Sequence, residues 1–281
     1  MENPNTARML RCVRGVISAA FKLLVIFIVA YPFLWMVFTA FKPYRETITY
    51  PPTLLPTTWS LEGLTSCLAE LDVHHFMKNS LVVSISVLIL QYIVIIPAAY
   101  AFARVRFPGR SLLFGIVLLG FMIPQQVTFV PVYLIFSKAK ALQSYWPQIL
   151  PFVANAFGIF LLRQYFMQVP DELRESGYVD GASELRIWAQ IMVPIAAPGM
   201  ASLAMVVFLW NWNNYLDPLV FLTNWRLYTI PIALTNFIEE SVTEYNLVMA
   251  ASASALLPVF IVFLAGQKFF VKGLMAGAVK G

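Results

Sequence analysis

The chain has 281 residues, of which 60% are hydrophobic and only 12% are charged. Because an average soluble domain carries roughly 25% charged residues, this composition excludes an ordinary soluble enzyme and indicates a protein that crosses a membrane several times. The net charge of +5 comes from short basic segments beside the apolar runs, so it predicts a membrane topology and no binding to nucleic acid.

Six apolar runs are long enough to cross the bilayer, for which a helix needs about 20 residues. In chain order the predicted spans are residues 16–38, 80–102, 112–135, 148–166, 196–222 and 247–270. The sequence therefore predicts an all-α membrane protein with six transmembrane helices in the lipid bilayer. A short N-terminal segment, 1–15, precedes the membrane domain, 16–270, and a tail, 271–281, follows it.

The segments that join the predicted spans differ in their basic residues. The N-terminal end of the chain, the turn ARVRFPGR (103–110), the loop 163–194 and the tail together hold 13 of the 19 lysines and arginines, if Lys22 is counted with the N-terminal end and Lys268 with the tail. Because basic residues accumulate on the cytoplasmic side of a membrane, both termini are predicted to be cytoplasmic.

The segment 41–77 is predicted to lie on the opposite side as a short extracytoplasmic cap. It is too polar and too proline-rich to span, and a small helix is expected near 61–71. His74 and His75 at its end lack a third ligand at a useful spacing, so no metal site is predicted.

The loop 167–194 carries many charges for so apolar a chain. A proline followed by two acidic residues, VPDELRES, predicts a helix over 171–179. Gly181 is expected to adopt the left-handed conformation that ends a helix. A second helix is expected to begin near Ser183 and to finish before Pro194.

The second predicted helix is amphipathic. Leu185, Trp188 and either Ile191 or Met192 recur at helical spacing and form an apolar stripe. Such a pair of helices can lie on the lipid interface, or it can form a knob that fits a groove in a cytoplasmic partner. Periodicity alone leaves both interpretations open.

The spacing within this loop resembles the EAA loop of ABC importer permeases, written EAA-x3-G-x9-I-x-L-P. Glu175 and Gly181 fall in register, as do the distal isoleucine and proline of IMVP. Ser176 and Gly177 replace the two alanines, and valine replaces leucine before the proline. These changes are small, and they leave a low spot beside Glu175 where a neighbouring backbone can approach closely.

Other segments extend the resemblance over nearly the whole chain. FKPYRETI with PPTLLP, KNSLVVS, AYAFARVRFPGR, VPDEL, WNWNNYLDPLVFL and GLMAGAVKG are similar to the MalG-type branch of carbohydrate importer permeases. The resemblance implies a type I ABC importer permease fold in a bacterial inner membrane, with cytoplasmic EAA coupling helices.

The resemblance also implies the partners. The chain contains no G-x-x-x-x-G-K-[ST] phosphate loop, so ATP and Mg are expected on a separate dimeric ATPase, with no cofactor in this chain. A second, MalF-like permease and an external solute-binding protein on the 41–77 side are expected to complete the importer. The tail, 273–281, is a second expected ATPase contact. The resemblance implies that the ATPase-coupling residues are Glu175, Ser176, Gly177, Asp180, Gly181, Leu185, Trp188, Ile191 and Pro194.

A polar cluster at the end of the fifth predicted span is the candidate solute path. Amides and aromatic rings suit sugars, because hydroxyls need both donors and acceptors and the apolar ring face stacks. The same asparagines could instead join helices by hydrogen bonds. The candidate residues are Asn211, Asn213, Asn214 and Tyr215, with Gln125, Gln126 and Asn155 as further candidates.

Three other functions compete with that of a sugar permease. An ion-coupled secondary carrier would need ionisable groups at mid-membrane, for which Asp217 is the one candidate. An intramembrane enzyme would need a cluster of catalytic side chains near the bilayer, which the sequence does not show. A permease for a polyol or glycerol phosphate remains open.

Overall fold

The computed structural model describes residues 4–240 and 244–278, with side chains for 13–238 and 244–268. These residues form helices and connecting segments without strands. The first eight helices are α1 (Pro4–Ala40), α2 (Tyr44–Thr47), α3 (Glu62–Ala69), α4 (Val73–Arg104), α5 (Arg110–Phe121), α6 (Gln125–Lys138), α7 (Trp146–Ile149) and α8 (Ala156–Gln168). The others are α9 (Glu172–Val179), α10 (Glu184–Ile187), α11 (Val193–Ile195), α12 (Ala197–Trp212), α13 (Leu216–Phe221), α14 (Ile230–Glu240) and α15 (Tyr245–Ala278).

Three helical segments within the described ranges are long and apolar enough to cross a membrane. They are Val13–Ala40 in α1, Val73–Arg104, which is α4, and Tyr245–Lys268 in α15. They correspond to the first, second and sixth predicted spans. Three bent pairs of helices meet the same criterion when the two members of a pair are taken together. In the first pair α5 is followed by α6. In the second, α7 and the 3₁₀ turn after it are followed by α8, and in the third, α10–α11 are followed by α12. The structure thus holds three spans, or up to six if each bent pair is one.

The third predicted span, 112–135, is wrong as a single helix. The helix α5 ends at Phe121, α6 begins at Gln125, and the two meet at 94°. Pro124 lies at the break in extended backbone, because proline has no N–H to donate and its ring disfavours a helical residue before it.

The fifth predicted span, 196–222, is also wrong as a single helix, since α12 ends at Trp212. Asn211 Nδ2 and Asn213 Nδ2 each donate 2.8 Å hydrogen bonds to the carbonyl four residues back. Asparagine side chains that bond the backbone in this way compete with helix continuation. The chain turns before α13 begins at Leu216, and the turn presents the asparagines as a group.

The fourth predicted span, 148–166, is bent near its start. A 3₁₀ turn, Leu150–Phe152, follows α7, and α8 begins after Asn155 at an angle of 40°. Asn155 caps α8, because its Oδ1 accepts from the Gly158 N–H at 3.2 Å.

Contacts divide the chain into two compact units. One unit comprises the residues up to Asp72 with Phe237–Ser254, and the other comprises Val73–Asn236 with the residues from Ala255. The side chains of the predicted tail, 271–281, lie outside the described residues, as do the first three residues of the predicted N-terminal segment.

In the first unit, polar contacts order the loop of the predicted cap. The buried Lys42 ammonium donates to the Thr53 backbone carbonyl. Burial acts to raise the pKa of the Glu46 carboxyl, but the backbone N–H groups of Thr57 and Thr58 donate to it and lower that pKa below its usual value. The helix α3 lies where the small helix near 61–71 was predicted.

In the second unit, α4 packs against α8 and α12 around a buried apolar core. Ile95, Leu162 and Leu203 are fully buried there, one from each of the three helices. The helices approach closely at Gly199, where an added Cβ would lie 2.5 Å from Cδ2 of the Tyr165 ring. This packing fixes α8 and α12. The loop 167–194 connects these two helices, and the asparagine group lies at the end of α12.

Replacing Gly199 with alanine is therefore expected to destabilise the protein by about 1–3 kcal/mol, because the Tyr165 ring must move to admit the methyl group. Gly115 is the matched control, since a Cβ there meets nothing within 4 Å and alanine favours the helix by up to ~1 kcal/mol. Thermal unfolding in detergent should place Gly199→Ala below the wild type and Gly115→Ala at or above it. Equal midpoints for the two variants would contradict the close approach.

Candidate functional site

The loop 167–194 folds as two short helices joined by a tight turn, as predicted. Gly181 has a φ of +76°, the left-handed conformation that glycine adopts without strain. The Ala182 N–H donates to the Gly177 carbonyl at 2.9 Å, and the Gly181 N–H donates to the Tyr178 carbonyl at 3.0 Å. These two bonds form a Schellman motif, which fixes the direction in which the chain leaves α9.

The second helix of the loop does not finish before Pro194, which corrects the prediction. After α10, one π turn, Trp188–Met192, leads directly into α11, and the Val193 N–H donates to the Trp188 carbonyl. Pro194 lies in the first turn of α11, where a missing N–H is tolerated. The wider π turn thus lets the helical path continue through a proline.

The low spot predicted at Gly177 is present, but a side chain fills it rather than a neighbouring backbone. Gly177 is buried, and an added Cβ would lie 2.9 Å from Ile187 Cγ1 and 3.3 Å from Ile191 Cδ1. Ile187 itself is fully buried. The two helices of the loop therefore pack on each other through a residue that sequence reasoning did not single out.

The predicted apolar stripe is divided between two faces. Met192 is buried and Trp188 is half-buried, whereas Leu185 is 70% exposed. Val179, at the end of α9, is 87% exposed. We call Val179 and Leu185 the outer apolar pair. Five further residues of the predicted coupling set are exposed, namely Glu175, Ser176, Asp180, Gly181 and Pro194.

Glu184 is the centre of a polar group at the base of the loop. Its carboxylate accepts from the Tyr100 hydroxyl at 2.5 Å, from Arg174 Nη2 at 3.0 Å and from the Tyr178 hydroxyl. Burial acts to lower the pKa of Arg174, but its hydrogen bond to Glu184 and the charge of that carboxylate raise it above the usual value. We call Tyr100, Arg174, Tyr178 and Glu184 the Glu184 cluster, and it joins the loop to the end of α4.

Arg104 makes a second connection between the same parts of the chain. Its Nε donates to the Phe166 carbonyl at 2.9 Å, and its guanidinium pairs with the Asp171 carboxylate. The ends of α4 and α8 are thus tied to the start of the loop. A displacement of the loop would act on both helices through these bonds.

A cavity of about 490 Å³ lies where α12 ends, and it is the second candidate site. It brings together most of the predicted solute residues, and Gln126 does not line it. We call it the amide cavity, and its lining residues are Gln91, Gln125, Phe152, Asn155, Trp210, Asn211, Asn213, Asn214, Tyr215 and Leu216. Its volume lies within the range of roughly 300–1,000 Å³ found for small-ligand sites.

Gln91 and Trp210 are members of the cavity that sequence reasoning missed. Gln91 is the one amide side chain in the second predicted span, 80–102, and this isolation in an apolar run is the signal that could have found it. Trp210 precedes the asparagine cluster by one residue, and the residue is 51% exposed.

Asp217 lies beside the amide cavity and is buried. Gln125 Nε2 donates to its two carboxylate oxygens at 3.1 and 2.9 Å, and Asn214 Nδ2 donates at 2.6 Å. The carboxylate thereby connects the start of α6 to the turn before α13. Its bonds to two amides make it a fixed structural acceptor in this arrangement.

The sequence matches the family described as "Binding-protein-dependent transport system inner membrane component" over residues 92–275. The arabinooligosaccharides transport system permease protein AraQ of Halalkalibacterium halodurans is 31% identical over 258 residues, 91% of this chain and 92% of that protein. The sn-glycerol-3-phosphate transport system permease protein UgpE of Salmonella typhi is 34% identical over 239 residues, 82% of this chain and 85% of that protein.

The fold has a solved counterpart in the crystal structure of a bacterial ABC transporter involved in the import of the acidic polysaccharide alginate. The two superpose with a TM-score of 0.82 at 20% sequence identity, over 96% of this chain and 99% of that chain. This likeness confirms the predicted importer permease fold. The chain accordingly belongs to the family of inner membrane components of binding-protein-dependent transport systems, and it is the permease component of an ABC importer.

Proposed function

We propose that the chain forms half of the transmembrane pathway of a sugar importer and couples it to a separate ATPase through the loop 167–194. The outer apolar pair is the observation that carries the coupling role. Val179 and Leu185 are largely exposed although the loop has its own buried contact at Gly177 and Ile187. Exposed apolar side chains on a charged, helical loop are typical of a docking surface.

The proposed assembly contains this chain, a second MalF-like permease, a dimeric cytoplasmic ATPase and an extracytoplasmic solute-binding protein. ATP and Mg are held by the ATPase dimer. Both termini lie in the cytoplasm, the cap 41–77 faces the binding protein, and the six spans of the domain 16–270 cross the bacterial inner membrane. The end of the tail, 273–281, is a second proposed contact with the ATPase.

The proposed mechanism is a two-state switch. When ATP closes the ATPase dimer, the loop moves with the cleft in which it sits. The Glu184 cluster and the bonds of Arg104 pass this displacement to the ends of α4 and α8. Nucleotide then biases the membrane helices towards one of two arrangements, because it binds one of them better.

A sugar is the proposed solute because of the chemistry of the amide cavity and the carbohydrate substrate named for one relative. A phosphorylated polyol is the alternative, since another relative is named for sn-glycerol 3-phosphate. An ion-coupled carrier has no support in the cavity, because Asp217 is held by two amides.

Substitution at Gly181 tests the coupling role. Valine is expected to stop ATP-driven uptake by proteoliposomes that contain the whole importer, because a β-branched residue strains the left-handed turn. Asparagine is the matched control and should retain most of the uptake, since it tolerates that conformation. Hydrolysis by the isolated ATPase should not change. If Gly181→Val, or a scrambled loop, supports undiminished uptake, the loop lies on the lipid interface and the coupling proposal fails.

A further inference from the structure

We propose that a cavity between the α4–α5 turn and the loop 167–194 binds the phosphate group of an anionic phospholipid, and that Arg106 and Arg110 are its binding residues. The inference goes beyond the proposed function, which assigns no lipid to the chain. It takes from that proposal only the position of these segments at the cytoplasmic surface of the membrane.

The cavity has a volume of about 540 Å³, and arginines dominate its lining. We call it the arginine cavity, and its charged lining residues are Arg104, Arg106, Arg110, Arg174, Asp171 and Glu175. Guanidinium groups suit phosphate, because their N–H groups form a fixed fork that matches two phosphate oxygens. Arg106 and Glu175 are exposed, so a ligand can enter from the membrane surface.

The charges of the arginine cavity do not balance. Two of its four arginines already have carboxylate partners, since Arg104 pairs with Asp171 and Arg174 pairs with Glu184. The other two share the cavity with one further acid, Glu175, so two cations against one anion leave one positive charge. A phosphodiester head group with one negative charge would neutralise it.

The two remaining arginines have N–H groups that can donate to a phosphate. The guanidinium of Arg106 makes no ion pair or hydrogen bond with a described residue. Arg110 Nη1 donates to the Val105 carbonyl at 3.2 Å, which holds this side chain beside the end of α4. Its Nε and Nη2 make no bond to a described residue. Both arginines can therefore bind a phosphate without giving up an existing ion pair.

The surroundings favour a lipid over a soluble phosphate. A second hollow, of about 360 Å³, shares Arg106 and Arg110 with the arginine cavity and is also lined by Leu112. Leu112, Ile116 and Leu119 lie along one face of α5, and each is more than half exposed. A head group in the cavity would place its acyl chains on this face. Basic pockets at the cytoplasmic ends of membrane helices are typical sites for anionic head groups.

The experiment uses the purified complex of the two permeases and the ATPase in a neutral detergent. Native mass spectrometry measures the affinity of the first phosphatidylglycerol that binds, with phosphatidylcholine and inorganic phosphate titrated in parallel. Arg106→Gln combined with Arg110→Gln is expected to weaken phosphatidylglycerol binding by about tenfold or more, because charge-assisted hydrogen bonds to the phosphate are lost. Phosphatidylcholine has a compensating positive charge and inorganic phosphate has no acyl chain, so the wild type should bind both more weakly.

Arg14→Gln combined with Lys22→Gln is the matched control. Both side chains are exposed and neither lines the arginine cavity, yet their replacement removes the same two charges from the same predicted side of the membrane. We expect this control to bind phosphatidylglycerol as the wild type does. Thermal unfolding should give similar midpoints for the two double variants. If the arginine pair proves unstable, Arg106→Gln alone carries the test, because Arg106 is exposed.

Three results would overturn the inference. The first is equal phosphatidylglycerol affinity in the two double variants. The second is displacement of phosphatidylglycerol by inorganic phosphate at the same concentration, which would assign the cavity to a soluble anion. The third is the absence of tightly bound phosphatidylglycerol on the wild type, which would leave the arginines to a partner chain. None of these measurements involves transport, so each leaves the proposed function intact, whereas absence of uptake by the wild type would overturn the proposed function alone.

Discussion

Introducing aspartate at both Val179 and Leu185 is expected to reduce ATP-driven uptake by more than about tenfold while the permease folds as before. The two side chains are 87% and 70% exposed, so the substitutions remove little of the protein's own packing. In the proposed complex they lie against the ATPase, where two carboxylates would have to be buried without partners. Such burial costs several kcal/mol, and each 1.4 kcal/mol is a factor of ten in association.

The measurement is uptake into proteoliposomes, together with recovery of the ATPase on the purified permease pair. The double variant Val179→Ile, Leu185→Met is the matched control, because it keeps an apolar surface at both positions. We expect the control to retain the ATPase and the aspartate variant to lose it. Full recovery of the ATPase with the aspartate variant would show that the outer apolar pair does not dock.

Replacing Glu184 with leucine is expected to uncouple the importer and to destabilise the loop by about 1–3 kcal/mol. The substitution leaves the hydroxyl of Tyr100, a residue only 4% exposed, without its acceptor. The ion pair with Arg174 contributes less, because the Glu184 side chain is 37% exposed and solvent screens the pair. Uptake per ATP hydrolysed should therefore fall even where the ATPase still binds.

Glu172→Leu is the matched control for this prediction, since Glu172 is an exposed acid of the same loop. The ratio of solute imported to phosphate released should fall for Glu184→Leu and stay near the wild-type value for Glu172→Leu. A normal ratio for Glu184→Leu, measured on a complex with a lowered melting temperature, would limit the cluster to a stabilising role.

The parts of the fold that depend on neighbouring residues in sequence could be predicted. The left-handed turn at Gly181 and the start of the next helix at Ser183 follow from local backbone preferences, and both are present. The long apolar helices α1, α4 and α15 follow from composition alone. The asparagine group could be predicted because Asn211, Asn213 and Asn214 lie within four consecutive positions.

The remaining features depend on contacts between distant residues or on side chains that alter the backbone. Tyr100 and Glu184 are 84 positions apart, so no local pattern could pair them. A hydropathy average over 196–222 could not detect that Asn211 and Asn213 bond the helix backbone and end α12 early. The π turn, Trp188–Met192, likewise shifts the register of the apolar stripe after Ile187, which a regular helical period does not anticipate.

The contact between Gly177 and Ile187 bears on whether permeases can exchange their coupling loops. A grafted loop would carry this contact with it, because both residues lie inside the transferred segment. It would leave behind two residues of α4 that bond to the loop. Tyr100 donates to Glu184, and Arg104 pairs with Asp171. A chimaera that recruits a new ATPase should therefore need those two residues of α4 transplanted as well, so the unit of modular exchange is larger than the loop that touches the partner.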